Sequence, residues 1–312
     1  MSGTRAAGDD PEAEARRLAQ DWELRAQSPS RDFFVASHPG WDDPAAWERQ
    51  ARHDADFLLQ RLPRPLAGAH LLEIGCGVGR LVPALAPRVA SYTGFDIAPS
   101  MVAEARARHG AVANARFLEA DGLAAPAGAR DRRYDVALAH AVFIHCPREV
   151  IAALIADCWT LLADGGELRF QLRADPHDDT PLELLPAAAP PAASARAGSA
   201  PADAALAEDA AARTDGAAAR TEDTAARAED TVARAEDAAA RAVAGQVAEA
   251  RVAVPASDAP LVDERDYMGA AFRSDEVVPF LAALTGAGGG EIAAVRVDRL
   301  HIYVALRRPA AL

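Results

Sequence analysis

Nearly all apolar runs at residues 70–74, 92–96 and 134–139 punctuate the middle of the chain, with further strand-like segments at 116–120 and 167–173. Runs that are apolar throughout, not alternating, suit strands buried on both faces of a parallel sheet. Between them lie segments of helical pattern at 80–89, up to His109, and at 147–162, the last opened by Pro147 and closed by Asp164-Gly165-Gly166. Residues 123–133 carry Pro126 and Gly128, so that connection is predicted to be a turn. Strand and helix in alternation predict an α/β core over 66–173.

Ahead of the core, residues 1–11 are small, polar and acidic and read as disordered, and 12–65 read as a helical extension with helices at 12–27 and 44–62. Phe33, Phe34, Trp41 and Trp47 concentrate aromatic side chains there. They either pack the extension against the sheet or form a lid that excludes water from a site. Residues 263–312 resume the core pattern. A helix capped by Ser274 runs to about 284 and stops in the glycine-rich 286–290, and strands at 291–298 and 301–307 form an antiparallel hairpin at the sheet edge.

The first apolar run ends in a glycine turn, Glu73-Ile-Gly75-Cys76-Gly77-Val-Gly79-Arg80. Glycine at alternate positions lets the backbone take positive φ and lets a ligand press against it. A dinucleotide fingerprint, Gly-x-Gly-x-x-Gly, would need its third glycine at position 80, where Arg80 stands. The pattern is instead Glu-x-Gly-x-Gly-x-Gly. The second run ends in Asp96 and is followed by Ile97-Ala-Pro-Ser-Met101, the third ends at Asp121-Gly122, and the fourth runs into His140-Ala-Val-Phe-Ile-His145. With these four strand ends in this order, the sequence resembles the class I S-adenosylmethionine-dependent methyltransferases.

The resemblance covers 66–173 and 263–308. It implies a Rossmann-like, seven-stranded, mostly parallel sheet with an antiparallel C-terminal strand, S-adenosylmethionine as cofactor, and methyl transfer as the activity. It places the methionine part against the backbone of Gly75, Cys76, Gly77 and Gly79, with Glu73 fixing the turn and the amino group. Asp96 would hold the ribose, Ile97 and Met101 would sandwich the adenine, and Asp121 with Gly122 would read its edge. The protein then needs mainly to align donor and acceptor. His140 and His145 lie just beyond the fourth strand, where a histidine near neutral pKa can take a proton from a hydroxyl or amine. The other reading has His145 packed against strand and helix as a structural residue. Gln171 either bonds an acceptor or pairs with backbone. The chain lacks an Asn-Pro-Pro-Tyr type signature after the fourth strand, which favours a small-molecule acceptor, methylated at oxygen or nitrogen. Two other classes remain: a non-catalytic cofactor-binding protein, and an NAD-dependent oxidoreductase, which Arg80 disfavours.

Charge sharpens the domain picture. The net charge is −13, but residues 174–262 hold 16 acidic and 7 basic residues, so most of the acidity is local to that segment. Within it, residues 207–241 are five tandem heptads, from AEDAAAR to AEDAAAR, built on alanine and one-turn acid–arginine pairs. Residues 174–262 are therefore expected to be an insertion, either a solvated helix or disorder, or a coil offering 207–241 to a protein partner. An acidic balance argues against nucleic acid or an anionic membrane as partner. Cys76, Cys146 and Cys158 are scattered without metal spacing, and no signal-peptide core or membrane-length apolar run occurs. Together these lead to the expectation of a cytoplasmic protein without a metal.

Overall fold

The computed structural model describes residues 10–36, 41–60, 62, 65–184, 269–285, 290–296 and 300–310. The chain opens with α1 (Pro11–Ala26), α2 (Arg31–Val35) and α3 (Pro44–Leu59). Asp10 and Asp43 cap α1 and α3 by accepting from first-turn amides, and a proline opens each helix. The core follows as β1 (His70–Ile74), α4 (Val82–Leu85), β2 (Ser91–Asp96), α5 (Pro99–His109), β3 (Ala115–Glu119), β4 (Tyr134–Ala139), α6 (Arg148–Leu161) and β5 (Leu162–Ala174). It ends with β6 (Glu183–Leu184), β7 (Ala271–Phe272), α7 (Ser274–Thr285), β8 (Glu291–Arg296) and β9 (His301–Arg307).

The seven longer strands lie in the order β3-β2-β1-β4-β5-β9-β8, parallel except for β9, which runs antiparallel between β5 and β8. The two-residue strands β6 and β7 are additions, β6 pairing with β8 and β7 with β5. Strand alternation divides the core. Leu72 and Ile74 of β1 face α6 and α7, whereas Leu71 faces α3, α4 and α5. Each such buried side chain contributes about 1.5–3 kcal/mol, so β1 is anchored from both faces.

Three elements differ from expectation for local reasons. The helix predicted over 80–89 is only the single turn α4, continued by a 3-10 turn (Ala86–Arg88), because Pro87 has no N–H to continue an α-helix and its ring crowds the carbonyl four residues back. β5 begins at Leu162, before the predicted 167, because Gly165 takes φ +67° and the pairing with β4 slips between Tyr134 and Val136. Ser274 is the first residue of α7 and not its side-chain cap. Its hydroxyl donates to the Thr180 carbonyl, and its amide donates to Asp178 Oδ2 at 2.6 Å.

Residues 175–184, grouped by composition with the insertion, are thus held to the core through Asp178, Thr180 and β6. The repeats at 207–241 lie outside the described residues, as do residues 1–9, Tyr267 and Met268. Replacing 187–253 by a short Gly/Ser linker is expected to leave the melting temperature within about 3 °C, roughly 1 kcal/mol for a chain of this size, because loop closure depends weakly on length. A deletion beginning at 178 is expected to cost more, since it strips the amide partner from the start of α7. Calorimetric melting of both variants decides it; a loss above about 10 °C for the 187–253 deletion would contradict the expectation. Among the described residues no helix is long and apolar enough to cross a membrane.

Candidate active site

Behind Ile74 the backbone turns through Gly75, Gly77 and Gly79 at φ +66°, +52° and +78°, values that favour glycine at each position. The parallel register sets Ile74 beside Phe95, so the next residue of β2, Asp96, meets this turn. Asp96 Oδ2 accepts from the Gly77 amide at 2.8 Å and Oδ1 from the Ala98 amide at 2.9 Å, while the Cys76 amide donates to Phe95 O at 3.0 Å. Burial raises the Asp96 pKa against these backbone bonds. A carboxylate offers about four lone-pair sites, so two accepted bonds leave others for a ligand.

Asp96 lies in the wall of a cleft holding about 780 Å³ of space not filled by protein atoms, its mouth included. Gly75 and Gly77 also line it, as do Ile97, Met101 and Gly122. Gly122, at φ +89°, leaves no room for a Cβ against the Ile97 side chain, and a Cβ at Gly75 would strike Val142. At Gly77 a Cβ would meet only Val35, at 3.5 Å. The opposite wall comes from the N-terminal extension through Leu18, Trp22, Phe34 and Val35. α1 is tied across the site by Glu23, whose carboxylate accepts from the Ser100 amide at 3.0 Å and from the Ser100 hydroxyl. Phe34 thus lines the cleft, while Phe33 packs edge-on against Phe34 and Trp41.

His140 lines the cleft and His145 does not. His145 sits in a 3-10 turn (Phe143–His145) with its ring edge-on to Trp22, centroids 5.4 Å apart. His140 Nε2 lies 3.2 Å from Asp54 Oδ2 of α3, and Arg80 Nη1 approaches the same oxygen at 2.7 Å. Burial opposes charge on Asp54, but the bond and charge of His140 and the Arg80 guanidinium outweigh it and hold the Asp54 carboxyl well below the usual range. His140 Nδ1 is buried without a hydrogen-bond partner. The next residue, Ala141, is the only non-glycine at positive φ among the described residues, at +56°, a conformation costing about 1–3 kcal/mol that neighbours must enforce. Gln171 does so: its Oε1 accepts from the Ala141 amide at 2.8 Å and its Nε2 donates to the Tyr303 hydroxyl. Cys146 also lines the cleft, with burial pushing its thiol up to about 12, so it is no nucleophile near neutral pH.

Glu73, Cys76, Gly79 and Asp121 stand outside the cleft wall. Glu73 alternates with Ile74 along β1 and so faces α3 and α4, where it accepts from the Tyr92 hydroxyl at 2.5 Å. The Cys76 side chain packs on Gly94, where a Cβ would come within 2.9 Å of its Sγ, and Gly79 backs against the His109 ring. Asp121 Oδ1 accepts from the Leu123 and Ala124 amides, capping the turn that follows β3. Asp54 was missed by motif reading, although a signal existed: it is an acid set within the buried stripe Ala51, Ala55, Leu58 of α3. Among the described residues no cluster of three His, Cys, Asp or Glu side chains is placed to hold a metal ion.

Residues 71–166 match the family model described as a methyltransferase domain. Those residues are similar to the S-adenosylmethionine-dependent methyltransferases. Over 144 residues it is 31% identical to a ubiquinone biosynthesis O-methyltransferase of Xylella fastidiosa, covering 44% of this chain and 56% of that protein. It is 33% identical over 144 residues to a trans-aconitate 2-methyltransferase of Streptomyces avermitilis, covering 44% and 52%. The chain thus spans about half the length of these relatives. A solved DhpI complex with S-adenosylmethionine aligns over 98% of this chain and all of that one, at 18% identity and a TM-score of 0.49. The matched segment runs from β1 into β5, so α1 to α3 and the β8–β9 pair lie outside it.

Burial pushes the Glu73 carboxyl up to about 7 from 4.5, against the Tyr92 bond and the Arg80 charge. A raised folded-state pKa means that the protonated form stabilises the fold fully below about pH 4.5, and that this contribution is lost as pH rises through about 7. Asp54, with a depressed pKa, acts only well below pH 3.8 and does not enter that window. Glu73→Gln is therefore expected to flatten the fall in stability between pH 4.5 and 7, by on the order of 3 kcal/mol, and to raise the melting temperature at pH 8. Melting curves against pH that superimpose for the two proteins would contradict this.

Proposed function

We propose that this protein is a methyltransferase that transfers the methyl group of S-adenosylmethionine to an oxygen of a small-molecule acceptor seated in the cleft between the N-terminal helices and the end of β4. The observation that carries the reading is the pairing of Asp96 with the Gly77 amide at the cleft wall, which sets a carboxylate beside a glycine backbone that carries no side chain. In this reading Gly75 and Gly77 receive the methionine part, Asp96 the ribose hydroxyls, and Ile97 and Met101 the adenine faces, with Gly122 at the adenine edge. Cys76 and Gly79 shape the turn from behind, Asp121 orders the segment carrying Gly122, and Glu73 fixes the turn from the far face of β1.

When bound, S-adenosylmethionine supplies a methyl carbon on a sulfonium whose positive charge disappears on transfer, so the chain's contribution is alignment and exclusion of water. Trp22, Phe34 and Val35 supply the exclusion, and their apolar surface suits an acceptor with an apolar body. In this reading His140 takes the proton that the acceptor loses. An oxygen acceptor is supported by the names of the relatives and by an imidazole in place of a carboxylate pair.

The test is label transfer. The full chain is incubated with methyl-labelled S-adenosylmethionine and, separately, small phenols, carboxylic acids, primary amines and a metabolite extract. Label is expected in a hydroxyl or carboxyl compound. Label confined to amines would overturn the oxygen assignment, and no labelled product from any mixture would overturn the catalytic reading.

A further inference from the structure

Behind the cleft wall, a charged side chain from an element that the family match does not reach contacts a residue that lines the cleft. Asp54 belongs to α3, outside residues 71–166, and contacts His140 across 86 positions of sequence. We propose that Asp54 and Arg80 are positioning residues for His140, holding it in the Nε2–H tautomer so that its Nδ1 serves as the base for a hydroxyl acceptor. The proposal deepens the reading of the cleft as a methyl-transfer site and rests on it.

An ionised carboxylate can only accept, so the ring nitrogen facing Asp54, Nε2, carries the proton. Nδ1 then holds the lone pair, and it is the one polar atom of the His140 ring without a hydrogen-bond partner. His140 lines the cleft, and Nδ1 is covered there, so an acceptor O–H meets this lone pair as it displaces the side chains that cover it. Arg80 closes the arrangement from the other side. It is the residue immediately after the glycine turn, its side chain is 5% exposed, and its guanidinium lies 6.0 Å from the Trp47 ring centroid. The same arginine that breaks the dinucleotide fingerprint thus links the turn to the helix that orients the base. A second, separate tie joins α3 to the segment after β4. Phe57, one turn beyond Asp54, packs edge-on against Tyr303, with centroids 4.4 Å apart, and Tyr303 accepts from the Gln171 amide that holds Ala141. Ring position and ring tautomer are therefore set by different contacts.

The step balances as follows. The acceptor O–H bond breaks and its proton goes to Nδ1, while the oxygen electron pair forms the new O–CH3 bond. The S–CH3 bond breaks with its pair returning to sulfur, which becomes a neutral thioether. His140 is left as an imidazolium beside the Asp54 carboxylate, and solvent takes the proton after product leaves.

The tautomer is read directly, without donor or acceptor, from two-bond 1H–15N correlations of the full chain labelled at histidine, at pH 8. The His140 signals are those missing in His140→Gln. The wild-type chain is expected to show the Nε2–H pattern; an Nδ1–H pattern would overturn the proposal whatever the variants do. With an acceptor from the label screen, Asp54→Asn is expected to lower kcat by about a hundredfold, leave the S-adenosylmethionine KM within twofold, and add nothing to the loss in His140→Gln. Losses that multiply in the double variant would make Asp54 merely structural. Absence of S-adenosylhomocysteine binding to the wild-type chain would instead overturn the underlying site assignment, and the tautomer measurement distinguishes that failure from this one.

Discussion

Gly77→Val is expected to abolish detectable S-adenosylmethionine binding, a loss of at least a hundredfold, or about 2.7 kcal/mol. Two effects converge on that position. Gly77 holds φ +52°, which a β-branched residue adopts only under strain, and its amide is the group that Asp96 accepts from. A Cβ there meets Val35 at 3.5 Å and nothing else within 4 Å, so the valine methyls take the open space of the cleft. Gly68→Val separates the two effects, because Gly68 has φ +89° and no heavy atom within 4 Å of a Cβ. It is expected to lower the melting temperature through the same backbone strain while leaving affinity unchanged. Titration calorimetry with S-adenosylhomocysteine on both variants checks this. Gly77→Val binding within threefold of the wild-type chain would remove the glycine turn from the donor site.

His140→Gln is expected to lower turnover by roughly a hundredfold or more with donor affinity intact, the signature of an interaction needed only in the chemical step. His145→Gln is expected to cost less than threefold. The difference follows from placement: His140 lines the cleft with Nδ1 unpaired, whereas His145 lies against Trp22 outside the wall. Glutamine keeps much of the ring's volume and can still donate to Asp54, so loss of fold is not the expected result. Equal losses at both positions, measured with an acceptor from the label screen, would return the two histidines to equal standing.

The parts of this structure that sequence reveals are those set by short-range chemistry. The nearly all apolar runs at 70–74, 92–96 and 134–139 mark β1, β2 and β4, because continuous burial needs no distant partner to be read. The glycine turn and Asp96 were legible because positive φ and an acid at a strand end are local requirements. Glu73 shows a limit of motif reading and not of sequence, since alternation along β1 already sets it on the opposite face from Ile74. The helix expected over 80–89 stops at Leu85, because Pro87 cannot continue it. The contact of Asp54 with His140 and Arg80 had no motif to announce it. It depends on how α3 crosses the end of β4, and only an acid within a buried helical stripe hinted at it. β6 and β7 are two residues each, too short for any periodicity to mark.

The cleft floored by Gly75 and Gly77 and walled by Asp96 is expected to take the S-adenosyl group. A calorimetric titration of the wild-type chain with S-adenosylhomocysteine and, separately, with NAD measures this. Saturable one-to-one heat with S-adenosylhomocysteine, none with NAD, and loss of the signal in Gly77→Val is the predicted result. No heat with S-adenosylhomocysteine, or binding that Gly77→Val leaves intact, would contradict it.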